Sequence, residues 1–237
     1  MPTTSSVSEV NTQRILPQAV LWDLDGTLID TEPYWIAAEH ALVTAHGGSW
    51  SEEQAHALVG AALPGSARTL QAAGVNMGVR EIIDHLTGEV IAGLRREIPW
   101  RPGALELLRA NREAGIAQAL VTMSERSIVD IIVAAMPEGL FDVTVAGDEV
   151  TAGKPNPTPY LRGLQLLSEK LGREFTAERC IGLEDSLPGI TAASGAGLHA
   201  VLIPNATDPG AGQWRRVPTL AGVTPVELAG WLETAVA

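Results

Sequence analysis

The sequence predicts an α/β protein: a Rossmann-like parallel sheet core interrupted by an inserted all-helical cap domain. Two patterns predict it. Short apolar runs of strand length alternate with stretches of helical periodicity, the signature of a sheet whose strands are joined by crossover helices. Between the first and second of those runs lie about 90 residues without a strand-like run, far more than the dozen or so a crossover needs.

The strand candidates are Ala19–Trp22, Ala117–Thr122, Val143–Ala146, Cys180–Leu183 and Ala200–Ile203. Each is mostly apolar rather than strictly alternating, as strands covered on both faces are. Helical spacing occupies Ala104–Ala114, Ser127–Met136, Pro157–Leu171 and Pro188–Ala196. In the long gap, helices are expected at Glu32–Ala45, Ser51–Val59, Ala67–Ala73 and Val79–Glu97, with a turn at Leu63-Pro64-Gly65. Ser51 and Gln54 have capping-box spacing. The Pro99-Trp100-Arg101-Pro102-Gly103 run resists helix continuation and suits a hinge. The expected organisation is a disordered tail over 1–14, a core made of 15–31 and 101–237, and a helical cap over 32–100.

Of the 237 residues 46% are apolar, enough for a sizeable core, and the formal net charge is −12. That charge repels polyanions, so neither nucleic acid nor an anionic membrane is an expected partner. The polar opening stretch lacks the apolar run of a secretory signal, and no apolar segment reaches the ~20 residues of a membrane span. A single cysteine, Cys180, excludes an internal disulfide and reads as a buried strand residue. A cytoplasmic protein, monomeric or weakly dimeric, is expected.

The first strand runs into Asp23-Leu24-Asp25-Gly26-Thr27-Leu28, which places two carboxylates at alternate positions on the sheet edge where open α/β sheets bind ligands. Such neighbours repel unless a cation or a proton sits between them, and either state is useful to catalysis. Alone, the pair could be a solvated turn. Three further features follow later strands and so share that edge. Thr122-Met123-Ser124 offers hydroxyls and backbone N–H groups for phosphate oxygens. Lys154 projects from a Gly153/Pro155 turn as a counter-charge for a nucleophile and a phosphoryl group. Glu184-Asp185 adds oxygen ligands for a hard cation, magnesium rather than zinc.

This constellation resembles the haloacid dehalogenase superfamily, whose four motifs match as Asp23-x-Asp25-Gly-Thr-Leu, Thr122, Lys154-Pro155 and Glu184-Asp185. The Asp30-Thr31-Glu32-Pro33 run, the Gly60 turn, Arg101-Pro102-Gly103 and the stretch from Leu183 to Ile190 are similar to the branch with a helical cap after the first strand. The resemblance implies a Mg2+-dependent phosphatase acting on a small phosphorylated metabolite, a sugar phosphate above all. In it Asp23 is the nucleophile that becomes an aspartyl phosphate and Asp25 the general acid and base. Thr122, Met123, Ser124 and Lys154 hold the phosphoryl group, and Asp23, the Asp25 carbonyl and Asp185 hold the metal with Glu184 nearby. The sequence departs from the pattern at Trp22, where the family usually has Phe, and at Met123, where many members have a small or polar residue.

Two alternatives are weighed. A β-phosphoglucomutase-type phosphomutase would carry a histidine where this chain has Trp35, and an arginine after the glycine turn where Ala61 and Ala62 stand. A phospho-acceptor signalling domain shares the acidic pocket, hydroxyl and lysine, but needs neither the helical insertion nor a carboxyl two residues past the nucleophile. Dehalogenation is disfavoured because halide needs no proton from Asp25.

Overall fold

A computed structural model describes residues 15–205, 209–210, 212 and 214–233. The tail over 1–14 expected to be disordered lies outside them. Six parallel strands, β1 (Ala19–Trp22), β2 (Ala117–Val121), β3 (Val143–Val145), β4 (Cys180–Glu184), β5 (His199–Leu202) and β6 (Arg215–Arg216), form one sheet in the order β3-β2-β1-β4-β5-β6. The five expected strands are present, each within one residue of its expected ends. The two-residue β6 was not foreseen, because two adjacent arginines carry no apolar signal.

The period-two rule separates the strand side chains into two layers. Val20, Trp22, Leu120, Ile181, Leu183 and Val201 pack on α5 (Ala104–Glu113), α6 (Arg126–Ala134) and α9 (Pro225–Glu233). On the opposite face Leu21, Ala119, Val121, Val145 and Leu202 pack on α7 (Thr158–Leu171) and α8 (Leu187–Gly195). Trp22 is fully buried and donates its indole N–H to Gln118 Oε1 at 3.2 Å, so the larger ring brings its own polar partner into the core. Cys180 is fully buried, and that burial pushes its thiol up to about 12, in keeping with a structural residue. The chain reverses direction across the sheet beside β1: it moves from β1 to β2 and β3, then returns to β4 on the other flank. That is the switch point at which such sheets open a crevice above their carboxyl ends.

The insertion folds as α1 (Glu32–Ala45), α2 (Glu52–His56), α3 (Leu63–Ala72) and α4 (Val79–Arg96) around its own apolar cluster, with Leu42, Val43, Leu70, Ile82 and Leu86 at its centre. The Ser51/Gln54 capping box is formed in both directions. Leu63-Pro64-Gly65, expected as a turn, is instead the first turn of α3, because proline is compatible with a helix start where no donor is required. The helix expected from Ser51 to Val59 stops at His56. The two connectors to the core lie side by side: Asp30 N donates to Pro99 O at 2.8 Å and Arg101 N to Leu28 O at 3.0 Å. Asn205, beyond β5, ties them further by donating to Asp30 Oδ1 and accepting from Arg101.

Candidate active site

Asp23 follows β1 directly, and its neighbours come from the ends of three other strands. Lys154 Nζ, its side chain only 3% exposed, donates to Asp23 Oδ1 at 2.6 Å and to Val121 O at 3.0 Å, and lies 2.5 Å from Glu184 Oε1. All three ammonium donors are thereby used. Burial opposes the charge on Lys154, yet the Asp23 and Glu184 carboxylates outweigh it and hold the ammonium above its ordinary range. Asp23 Oδ2 has no hydrogen-bond partner although it is buried.

Beneath this pair Tyr160 of α7 donates to Glu184 Oε1 at 2.5 Å. Sequence reasoning missed Tyr160, which reads as one more apolar-face residue of a helix. The only signal was a hydroxyl on the buried side of α7. Asp185 folds over Gly26, whose φ of +83° suits glycine and where a Cβ would fall 1.9 Å from Asp185 Oδ2. Ser186 caps α8 by accepting from Gly189 N at 3.2 Å.

Asp25 is held apart from this group. Its Oδ1 accepts from Thr31 Oγ1 at 2.5 Å and Trp35 Nε1 at 3.3 Å, and its Oδ2 from Thr122 Oγ1 at 3.1 Å and Ser124 Oγ at 2.7 Å. The hydroxyls expected to grip phosphate are thus bonded to Asp25. Met123 lines the same cavity, and its sulfur accepts from Lys154 N at 3.4 Å.

Asp23, Glu184 and Asp185 bring one carboxylate oxygen each to within 4.8 Å of one another, all three buried. The Asp25 carboxylate is not in that group. Burial first, then the Glu184 charge, raises Asp23 to about 8 against the pull of Lys154. Burial and the charges of Asp23 and Glu184 raise Asp185 as well. Three carboxylates against one ammonium leave an excess of negative charge in a buried place, and Asp23 Oδ2 lacks any partner. Those residues fit a divalent cation, and an all-oxygen donor set fits a hard one.

Above the floor lies a cavity of about 100 Å³ whose other walls come from the insertion: Trp35, Ile36, Leu58, Val59 and Leu86 are apolar, Glu32, Glu39 and Ser66 polar. Gly60 sits at the seam, at φ +72°, where a Cβ would come within 2.9 Å of Ser186. Arg80 at the start of α4 makes a two-pronged ion pair with Glu125 of the core at 2.6 and 2.9 Å.

The sequence pattern of the haloacid dehalogenase-like hydrolases matches residues 20–203, a span that contains every residue of this site. The chain belongs to that family. Among its relatives is protein CbbY of Rhodobacter capsulatus, 31% identical over 224 residues that cover 86% of this chain and 94% of CbbY. A phosphorylated carbohydrates phosphatase of Thermotoga maritima is 29% identical over 78% of this chain and 83% of its own length. The crystal structure of CbbY from Rhodobacter sphaeroides in complex with xylulose-(1,5)bisphosphate is similar at a TM-score of 0.77 and 28% identity, covering 87% of this chain and 96% of that one. Membership of the haloacid dehalogenase-like hydrolases removes the phospho-acceptor signalling alternative, and phosphatase names among the relatives agree with the expected class, a phosphoric monoester hydrolase. No helix among the described residues is long and apolar enough to cross a membrane.

Proposed function

We propose that this hydrolase is a magnesium-dependent phosphatase that removes phosphate from a small phosphorylated sugar through an aspartyl phosphate on Asp23. The observation that carries the reading is the Asp23 carboxylate, with one oxygen fixed by Lys154 and the other without a partner at the floor of a cavity. The relatives named for phosphorylated carbohydrates support the substrate class.

Asp23 and Asp185, with Glu184 behind them, would hold Mg2+, which when bound offsets the repulsion between the carboxylates and an incoming phosphate. The Asp23 carboxylate attacks phosphorus as the bond to the leaving oxygen breaks, and Lys154 balances the charge carried by the phosphoryl oxygens. An arriving phosphoryl group offers its own oxygens to Thr122 and Ser124. It thereby takes two of the four donors that hold Asp25 and frees Asp25 Oδ2 for the leaving oxygen. Asp25, which takes up a proton from solvent on Oδ2 once those hydroxyls turn to the phosphoryl group, passes it to that oxygen and later recovers one from the water that attacks the phosphoenzyme. Phosphate departs and Asp23 is restored.

The phosphomutase alternative is disfavoured by Trp35, whose indole is engaged with Asp25 where that reading needs a histidine. The test is acid quenching during turnover of a sugar phosphate with Mg2+, followed by peptide mass measurement. One phosphoryl group on the peptide carrying Asp23 is the expected result. Release of phosphate by Asp23→Asn at a rate close to the wild type's would rule the mechanism out.

A further inference from the structure

The cavity walls carry two buried carboxylates that the reaction does not use. Glu32, at the start of α1, is 8% exposed, and neither of its carboxylate oxygens has a hydrogen-bond partner. His56 Nε2 stands 3.9 Å from Glu32 Oε1, beyond hydrogen-bonding range. Glu39, two turns further along the same helix, is 5% exposed, and Trp50 Nε1 donates to its Oε2 at 3.2 Å. Both line the cavity over Asp23, as does the Ser66 hydroxyl. A buried acceptor without a donor is costly unless something supplies one. Here the cavity is where a donor can arrive.

The sign of the charge narrows the ligand. Among the described residues that line the cavity the only cation is Lys154, and it is committed to Asp23 and Glu184 on the floor. The cap side offers two carboxylates, a hydroxyl and apolar surface from Ile36, Leu58, Val59 and Leu86. A second phosphate or a carboxylate entering there would face Glu32 and Glu39 with no free cation among the lining residues, since His56, 3.9 Å from Glu32, is not one of them, and the repulsion is magnified in a desolvated site. A polyol has the complementary make-up: hydroxyl groups that donate along one edge and C–H groups that lie against an apolar wall.

We propose that Glu32 and Glu39 form the leaving-group subsite, that they accept hydrogen bonds from hydroxyl groups of a neutral polyol, and that they restrict the enzyme to monophosphates of sugars or sugar alcohols. This rests on the phosphatase reading above. It sets the chain apart from its relative CbbY, which was solved with a bisphosphate.

The experiment compares kcat/KM for sorbitol 6-phosphate, fructose 1,6-bisphosphate and p-nitrophenyl phosphate in the wild type, Glu32→Gln and Glu39→Gln, with thermal melting as the control for folding. The wild type is expected to favour the monophosphate over the bisphosphate by about tenfold or more, and each Gln variant to shrink that ratio several-fold, chiefly through KM of the monophosphate. Equal or better turnover of the bisphosphate by the wild type overturns the proposal. So does a ratio that neither variant changes. If not even p-nitrophenyl phosphate is hydrolysed, the phosphatase reading itself fails. Calorimetric binding of sorbitol 6-phosphate then decides the subsite: several-fold weaker binding by Glu32→Gln supports it, and equal binding removes it.

Discussion

Two acidic groups face one cavity, and they are built differently. On the sheet edge Lys154 holds one oxygen of Asp23 and, with Tyr160, one oxygen of Glu184, at 2.5 to 2.6 Å, and Lys154 is itself anchored by donating to Val121 O at 3.0 Å. On the cap Glu32 has no hydrogen-bond partner and Glu39 has one. A group that performs chemistry must be held before the substrate arrives, whereas a group that recognises the substrate keeps its hydrogen-bonding capacity open for it. Under the function proposed above, turnover would fall to the core and choice of substrate to the insertion.

The largest effect that could break this division is at Asp23. Asp23→Asn is expected to lower kcat by about 10⁴-fold or more for every phosphate ester, with the fold intact by circular dichroism. Loss confined to one substrate would mean that Asp23 selects rather than reacts. Lys154→Met should come next. It strands two buried carboxylates, Asp23 and Glu184, a cost of about 3 to 5 kcal/mol, which at this chain length lowers Tm by about 10 °C. Added Mg2+ should recover part of that loss, and a melting scan with and without the ion reads both.

Glu39 sharpens the contrast through pH. Burial raises its carboxyl to about 7 from an unfolded value of 4.5. Because the folded value is the higher one, its contribution to stability is complete below pH 4.5 and is lost as pH rises through 7. The shift of 7 − 4.5 = 2.5 corresponds to about 3 kcal/mol. Denaturant titrations should show the wild type losing about that much between pH 4.5 and 8 relative to Glu39→Gln, whose amide does not titrate. The smallest effect belongs to Arg80, whose side chain is 58% exposed in its ion pair with Glu125. Arg80→Ala should cost at most about 1 kcal/mol, less in high salt, and raise KM more than it lowers kcat, because the pair joins cap to core without touching the reacting groups.

Much of the core was legible because its signals are local. A mostly apolar strand followed by Asp23, Thr122, Lys154 or Glu184 places chemistry on an edge by strand polarity alone, and the structure brings Asp23, Lys154, Glu184 and Asp185 together there. Helix α9 and strand β6 carried weaker patterns and were missed. Tyr160 stayed hidden because its importance is a contact across 24 residues with Glu184. That Asp25 occupies the hydroxyls of Thr122 and Ser124 depends on side-chain rotation, which no spacing encodes. Glu32 and Glu39 were read only as parts of a helix or a motif. Their meaning lies in what the fold leaves unpaired, and a sequence does not show an absent partner.

The division between the two acidic groups is tested most directly by one set of steady-state measurements: kcat/KM for sorbitol 6-phosphate and for p-nitrophenyl phosphate in Asp23→Asn and Glu32→Gln, assayed with Mg2+. The account predicts that Asp23→Asn abolishes turnover of both esters, and that Glu32→Gln lowers the ratio of the polyol phosphate to the aryl phosphate about tenfold. If Glu32→Gln depresses both substrates equally, or if Asp23→Asn keeps turning over either one, the separation of chemistry from recognition is contradicted.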